Sequence, residues 1–348
     1  MKKTILISLL VSLTLVGASC VKVKVAAFDG GVFKSIDKGL SWQQKVALLG
    51  IGQPKTIAGV NVSFLTFSPH DSNVLYLGTK ENGLFVSYNG GDSWQGVEKL
   101  PRSTINAVAP DPKLKHIVYV GIGGRIFKSI DCCQNWQNIY LEAVSGVEVT
   151  SLAVDPVDNS KILAGLSDGR LLRSVNGGSS WSTLYDFRAK IKQILINPKN
   201  AQIIYVNTQG TGLWRSSNGG VDWQNLDEPL KKYPGGRDIE WIIFDQNKDD
   251  AIVTSSSYGL LRSDNGGQEW FDYKLLLQPG RMKISAFAFN PNNPNEIYYS
   301  TATTFYRSFD GGRNWQTKSL PSKRVPVFML VDPNNPSVIY LGVMKIEK

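Results

Sequence analysis

A ten-residue pattern that occurs seven times, and always ends in tryptophan, constrains the fold of this chain more than any other feature. Each copy has an apolar pair, usually a basic residue, then Ser, a variable residue, Asp or Asn, a short turn and Trp. The closing tryptophans follow one another at intervals of 42 to 52 residues, which suits one four-stranded blade of a circular array. The turn residues and tryptophans are Asp37, Trp42, Asn89, Trp94, Asp131, Trp136, Asn176, Trp181, Asn218, Trp223, Asn265, Trp270, Asp310 and Trp315.

The residue types of this box predict a tight reversal between two strands. The Asp or Asn oxygen can accept hydrogen bonds from backbone N–H groups in the turn, and the Gly-Gly pair of most copies allows positive φ. The tryptophan offers a large surface for packing against neighbouring strands. A basic residue precedes Ser in six copies, so we expect a structural role for it, its stem covering the blade. These residues are Lys34, Lys128, Arg173, Arg215, Arg262 and Arg307.

A second repeated element has an apolar strand, a corner rich in Pro, Asp and Asn, and a β-branched strand. The first box has no such corner before it, and the last corner (331–342) has no box after it. The two ends therefore complete one another, with C-terminal strands sharing a sheet with residues 24–44. This predicts an all-β chain: a closed seven-bladed β-propeller of four-stranded antiparallel blades, one domain spanning residues 20–348, without exposed sheet edges.

The N-terminus is typical of an export signal. Lys2 and Lys3 precede a 12-residue apolar stretch (5–16), which is shorter than a membrane-spanning helix. Ala-Ser before Cys20 resembles a bacterial lipobox, although Gly17 replaces the usual aliphatic residue. We therefore expect a signal peptide over residues 1–19, lipidation at Cys20 with ordinary secretory cleavage as the alternative, and a location on the periplasmic or cell-surface side of a membrane.

The box consensus Ser-x-Asp-x-Gly-x-x-Trp resembles the Asp-box, or BNR, repeat. That repeat occurs in sialidases, xyloglucan-active glycosidases, sortilin-type receptors and photosystem II assembly and stability factors. A single ring behind an export signal is most similar to the photosystem II factors, whereas the Asp-Pro-Asn-Asn-Pro corner (332–336) is closer to glycosidases and sortilins. The resemblance implies a propeller, and it leaves function open because one scaffold serves several activities.

The sequence favours a protein without enzymatic activity. The chain lacks the Arg-Ile-Pro motif of sialidases. It also has one ring, whereas xyloglucan-active enzymes place their carboxylates between two. Paired-carboxylate hydrolysis needs two acids facing a substrate. Glu81, Asp168, Asp238 and Glu240 are the loop acids to consider, and no pair of them can be placed from sequence. With two histidines in the whole chain, no metal or cofactor is predicted.

The third box departs from the repeat because Cys132 and Cys133 replace Gly-Gly. In an oxidising compartment, adjacent cysteines can form a vicinal disulfide, remain thiols or bind an adventitious metal. Two ligands do not make a zinc site, and a turn substitution without a function is the simplest interpretation.

The D-to-A loops of a propeller lie on the face opposite the boxes, and positive charge concentrates in four adjacent loops. The formal charge is +9, or +7 without Lys2 and Lys3. This predicts a basic arc that attracts an acidic protein segment, an anionic glycan or lipid headgroups; the alternative is a solvated rim. The arc residues are Lys45, Lys55, Lys99, Arg102, Lys274, Arg281, Lys283, Lys318, Lys323 and Arg324.

Two functions follow from these features. The first is an exported, lipid-anchored, monomeric scaffold that binds a protein partner and assists assembly of a membrane complex; an exported protein is not expected to bind nucleic acid. The second is a carbohydrate-active propeller. A polysaccharide groove would present exposed aromatic side chains on the loop face, and Tyr233, Trp241, Tyr258 and Tyr273 are its candidates.

Overall fold

The chain forms seven four-stranded antiparallel sheets, as the repeat predicts. The structure, a computed structural model, describes residues 28–50, 55–245, 248–281 and 283–346. The expected signal peptide and Cys20 lie outside these residues. We number the blades by their boxes and name the strands of each blade A to D, from the central axis outward.

The strands are given in the order blade two to blade seven, then blade one. Strands A are Val62–Ser68, Ala107–Pro110, Val149–Val154, Ile191–Ile196, Ile239–Phe244, Ala286–Asn290 and Val325–Val331. Strands B are Asp71–Thr79, Val118–Ile122, Ile162–Leu166, Ile204–Thr208, Ile252–Ser256, Asn293–Ser300 and Ile339–Met344. Strands C are Leu84–Ser87, Arg125–Ser129, Arg170–Ser174, Gly212–Ser216, Leu260–Ser263, Thr304–Ser308 and Gly31–Ser35. Strands D are Gln95–Gly96, Gln137–Leu141, Ser182–Asp186, Gln224–Asn225, Phe271–Asp272, Gln316–Ser319 and Gln43–Lys45.

Two short elements lie outside the blades. Ala47–Leu48 pairs with Lys55–Thr56 in the connection between blades one and two. A 3₁₀ turn, Glu228–Leu230, follows strand D of blade five.

Blade one is built from both ends of the chain, which confirms the predicted closure. Its strands A and B are C-terminal and its strands C and D are N-terminal. Val32 of strand C faces Gly342 of strand B in an antiparallel pair that extends over five residues. Pairing along this seam gives strand C a partner on each side, so the ring closes without leaving these two strands as free edges.

Each box turn is held by its serine as well as by its Asp or Asn. In the second box, Ser87 Oγ accepts the Gly91 N–H at 2.9 Å and donates to Asn89 Oδ1 at 3.0 Å. Asn89 Oδ1 also accepts the Ser93 N–H at 2.9 Å. The buried serine hydroxyl therefore satisfies a turn N–H that water cannot reach, a role that sequence reasoning had given to Asp and Asn alone. The equivalent serines are Ser35, Ser129, Ser174, Ser216, Ser263 and Ser308.

The boxes and the A-to-B corners lie on one face of the ring. In each blade, the backbone N–H of the first turn residue donates to a carbonyl of the corner in the same blade, as Gly90 does to Asn73 at 2.8 Å. The strands are antiparallel, so the B-to-C and D-to-A loops lie at the other end of each blade. We call these two surfaces the box face and the loop face.

Basic residues of strand C connect neighbouring blades on the box face. Lys34 Nζ donates to the Gly90 carbonyl at 2.7 Å, and Lys128 Nζ donates to the Gly177 carbonyl at 2.9 Å. Arg307 reaches the Lys38 carbonyl at 3.0 Å in the same way. The recurring basic residue thus links its blade to the next box in these three positions.

Candidate functional site at the channel mouth

The first residues of several strands A surround a cavity of about 370 Å³ on the loop face, at the centre of the ring. We call this opening the channel mouth. Each strand A begins on the loop face. The first residues of successive strands A therefore lie at the same level of the central channel. Its lining includes Lys80, Asn106, Glu148, Lys190, Lys192, Glu240, Trp241 and Phe328.

Side chain to backbone hydrogen bonds fix neighbouring strands A around the mouth. Gln193 of blade five bonds both the N–H and the carbonyl of Ile242 in blade six, each at 2.9 Å. Ser63 Oγ of blade two donates to the Ile105 carbonyl, just before strand A of blade three, at 2.7 Å. Polar side chains at these positions thus satisfy backbone groups of the neighbouring blade, which no strand of that blade pairs with.

Aromatic side chains from three blades meet inside the channel. The rings of Trp241 (blade six) and Phe328 (blade one) lie 5.0 Å apart at 62°. Phe64 of blade two lies 5.4 Å from Phe328. This cluster narrows the channel below the mouth and gives a bound ligand an apolar floor.

Glu240 lies between two lysines at the rim. Its carboxylate oxygens are 2.6 Å from Lys283 Nζ and 3.3 Å from Lys192 Nζ. Burial alone would raise the pKa of Glu240, but the bonds and charges of Lys283 and Lys192 hold that pKa below its ordinary value. Glu240 is therefore ionised and neutralises part of the local positive charge.

Two other lysines leave the mouth positively charged. Lys80 and Lys190 are exposed, and their ammonium groups have no ion-pair partner among the described residues. Glu148 is the remaining acid at the mouth, and it accepts a long hydrogen bond (3.4 Å) from Asn106. The mouth thus combines an apolar floor with a net positive rim, which suits an acidic, partly apolar ligand.

The ten predicted arc residues do not form one cluster. Two of them reach a neighbouring box: Lys45 Nζ lies 2.9 Å from Asp92, and Lys99 donates to Asn135. Lys318 lies on an outer strand D, and Lys274 follows another, its carbonyl accepting a bond from the indole of Trp315.

The remaining arc residues differ in their surroundings. Lys283 is paired with Glu240, and Arg324 donates to the Val60 carbonyl at 2.9 Å, which gives it a structural contact. Four have no side-chain ion pair in the described part of the chain: Lys55, Arg102, Arg281 and Lys323. Partner binding by the arc stays a prediction.

The four candidate acids are also dispersed. Asp168 pairs with Arg170 at 2.7 Å, and Asp238 accepts a bond from Ser257. Glu81 is an exposed loop residue with φ of +71°. A general acid in a carboxylate pair needs a raised pKa, and Glu240, with its lowered pKa, lacks that property.

A buried network that sequence reasoning missed lies near Asp168. Glu142 accepts a hydrogen bond from the Tyr140 hydroxyl and forms an ion pair with Arg170, whose Nη2 lies 2.9 Å from the carboxylate. Its side chain is 3% exposed. Burial would raise its pKa, but Tyr140, the Val144 N–H and Arg170 lower the pKa of Glu142 to about 2. The network joins strand D of blade three to the B-to-C turn of blade four, and the repeat gives no signal for it because Glu142 lies in a variable loop.

The four candidate aromatic residues do not share one groove. Tyr233 and Tyr258 pack edge to face at 5.0 Å, and the Tyr233 hydroxyl donates to the Trp270 carbonyl. Tyr273 packs against Phe289, with ring centres 5.8 Å apart, and lies beside the box glycine Gly312. Of the four, Trp241 is the one that reaches the channel mouth.

Cys132 and Cys133 are free thiols with different environments. Both have positive φ, 58° and 69°. Cys132 is exposed, whereas Cys133 is partly buried and packs against the core cluster that includes Val118 and Phe127. Burial, with a smaller contribution from Cys132 and Asp131, raises the pKa of Cys133 to about 12.

The described residues contain neither a cluster of metal-ligating side chains nor a helix that could span a membrane. No group of three or more His, Cys, Asp or Glu side chains in them could hold a metal ion. None of the helical segments among those residues has the length and apolar character needed to span a membrane.

Comparison with curated proteins finds xyloglucanases, over short segments. An enzyme from Acetivibrio thermocellus is 30% identical over 131 residues, covering 28% of this chain and 15% of the enzyme. A xyloglucanase from Hypocrea jecorina is 26% identical over 181 residues, covering 47% of this chain and 17% of the enzyme. The chain thus matches less than a fifth of the length of these relatives. The sequence matches no known family profile.

Solved structures of two kinds share the fold. The xyloglucanase of family GH74 from Xanthomonas campestris superposes with a TM-score of 0.67 at 17% identity, covering 82% of this chain and 51% of that one. YCF48 bound to D1 peptide gives 0.62 at 16% identity, covering 82% and 93%. YCF48 from Cyanidioschyzon merolae gives 0.61 at 18%, covering 82% and 95%. At these identities the similarity establishes a seven-bladed propeller and no more.

Proposed function

We propose that this protein is an exported, non-enzymatic binding propeller that holds an acidic segment of a protein partner at the channel mouth. In this proposal it is a monomer anchored through Cys20, and it serves as an assembly or stability factor for a membrane complex. The observation that carries the proposal is the mouth itself, where the apolar floor of Trp241 and Phe328 lies beneath the uncompensated charges of Lys80 and Lys190.

The extent of the structural similarity supports the same conclusion. The chain matches nearly the full length of YCF48, one of whose structures holds a D1 peptide, but about half of the GH74 xyloglucanase. The described residues form one propeller, so a cleft between two propellers is not part of them. A peptide, in contrast, needs only one concave surface with apolar and charged contacts.

The test is affinity capture from detergent-solubilised membranes of the source organism, with captured proteins identified by mass spectrometry. The variant K80E/K190E reverses two charges at the mouth, and K115E/R313E reverses two exposed charges on the box face. We expect wild type and the box-face variant to capture the same partner and K80E/K190E to lose it. Equal capture by all three would contradict binding at the mouth.

A second candidate function is that of a glycosidase. It is favoured by the curated relatives from Acetivibrio thermocellus and Hypocrea jecorina, which are both xyloglucanases. Incubation with xyloglucan and measurement of new reducing ends separates the two functions. We expect no release. Reducing ends that wild type produces and the Glu240→Gln variant does not would replace the binding proposal by a catalytic one. Glutamine has nearly the size of glutamate, so this variant removes only the charge.

A further inference from the structure

We propose that the loop face carries a second contact surface, beside the channel mouth, that docks onto an anionic lipid surface. We call it the terminal patch and define it by Phe28, Arg281, Lys323, Lys345 and Ile346. The inference goes beyond the proposed function, because it concerns how the propeller is oriented on a membrane and not which partner it holds.

The N-terminal side of the patch is fixed by hydrogen bonds to the last D-to-A loop. The Asp29 carboxylate accepts the Lys323 N–H at 2.9 Å, and the Asp29 carbonyl accepts the Ser322 hydroxyl at 2.7 Å. The Phe28 carbonyl accepts a bond from Gln44 at 2.9 Å. Phe28 and Lys323 are therefore held next to one another on the loop face.

The C-terminal side reaches the same place. Asn61 Oδ1 accepts the Lys345 N–H at 2.8 Å and Arg324 Nη1 at 3.0 Å. Ile346 and Arg281 line one open cavity of about 600 Å³ beside the seam of blade one. The two ends of the described chain thus form one continuous surface, because blade one is built from both of them.

The chemistry of the patch suits lipid headgroups. Phe28 and Ile346 are each 59% exposed. Arg281, Lys323 and Lys345 are exposed, and their side chains make no ion pair within the described residues. Exposed apolar side chains surrounded by uncompensated cations are typical of surfaces that insert shallowly among anionic headgroups. An acidic protein segment would pair with the cations, but it would give the exposed apolar side chains no apolar surface to contact.

The position of Cys20 in the sequence supports the same orientation. Seven residues separate Cys20 from Phe28, and the eight fully extended steps between them span at most about 29 Å. Lys22 and Lys24 lie within this segment. An acyl anchor at Cys20 would therefore keep the loop face, and not the box face, near the membrane.

The experiment measures co-sedimentation of residues 21–348, which contain all seven blades and lack the acylated cysteine. The vesicles contain phosphatidylcholine alone, or with about one third phosphatidylglycerol. We expect binding to the anionic vesicles only, and release as ionic strength rises. K323E/K345E should weaken binding at least about tenfold, since each basic residue near an anionic surface contributes roughly a fivefold factor.

The matched control is K115E/R313E, which changes the net charge equally on the box face. It should bind like wild type. F28S/I346S should weaken binding without altering the net charge. Absence of wild-type binding to the anionic vesicles would overturn the proposal, as would an equal loss in both charge-reversal variants or equal binding to neutral vesicles. Partner capture by K323E/K345E should stay intact, so failure of this proposal leaves the proposed function untouched.

Discussion

The ammonium group of Lys34 in blade one lies 2.7 Å from the carbonyl oxygen of Gly90 in the box of blade two. It also lies 3.3 Å from Asp92 in the same turn, and its side chain is 13% exposed. One side chain therefore links the blade that closes the ring to its neighbour. The link is made to a backbone carbonyl whose position the turn dictates.

This contact predicts that Lys34→Met destabilises the protein by about 1.5–3 kcal/mol, the usual contribution of a hydrogen bond to a charged group. Methionine keeps the apolar stem, so the change reports the ammonium contact. Arg173→Met is the control: it occupies the same position in blade four, and its guanidinium has no hydrogen bond or ion pair in the described chain. Urea unfolding measures both, and equal losses would contradict the assignment.

The buried box serines should contribute more to stability than their size suggests. Ser87 is 1% exposed and accepts turn N–H groups from Gly91 and Asn89. Ser87→Ala leaves these donors without a partner, so we expect a loss of about 1–3 kcal/mol in the free energy of unfolding. Ser182→Ala, on an exposed strand D, should change it by less than about 0.5 kcal/mol. A small effect at Ser87 would indicate that water replaces the hydroxyl.

The three aspartate boxes should make stability depend on acid pH. Hydrogen bonds from Asn135 and Asn314 lower the pKa of Asp131 and Asp310 to about 2. Burial opposes the shift at Asp37, yet bonds from Ser41 and Ser35 lower its pKa to about 2 as well. A depressed folded-state pKa gives stability that is present above the unfolded-state pKa and is lost as pH falls from about 4 towards 2.

The test of this pH dependence is the triple variant D37N/D131N/D310N, since the other four boxes carry Asn naturally. We expect its urea midpoint to fall less steeply than that of wild type between about pH 4 and 2. Thermal unfolding at neutral pH checks that the variant folds. Identical slopes would show that other carboxylates dominate.

The two adjacent cysteines should differ in reactivity. Thiolates are the reactive form, and Cys133 is buried with its pKa raised to about 12, whereas Cys132 is exposed. In residues 21–348 we expect one thiol per chain to react with a disulfide reagent in the native state and two after unfolding. Cys132→Ser should leave none reactive in the native state. A native count of zero in the unreduced wild type, restored by reductant, would indicate a vicinal disulfide.

Local repeats made the fold predictable, whereas the site depends on contacts between distant residues. The boxes and corners recur at a fixed period, and the displaced phase at the two ends predicted the seam between Val32 and Gly342. The rings of Trp241, Phe328 and Phe64 come from three different blades. The repeat pattern in the sequence does not predict that these rings are in contact. Lys45 and Lys99 were also misplaced by sequence alone. Their position in a loop segment does not determine which face of the ring their long side chains reach, and both reach a neighbouring box.

The seam of blade one also sets the order of events when the protein is made. Strand C (Gly31–Ser35) is synthesised early and has no inner partner until strand B (Ile339–Met344) has been made. Six blades can therefore be complete while the ring is still open, with an unpaired strand edge at each end. The interval ends when strand B of blade one pairs with strand C.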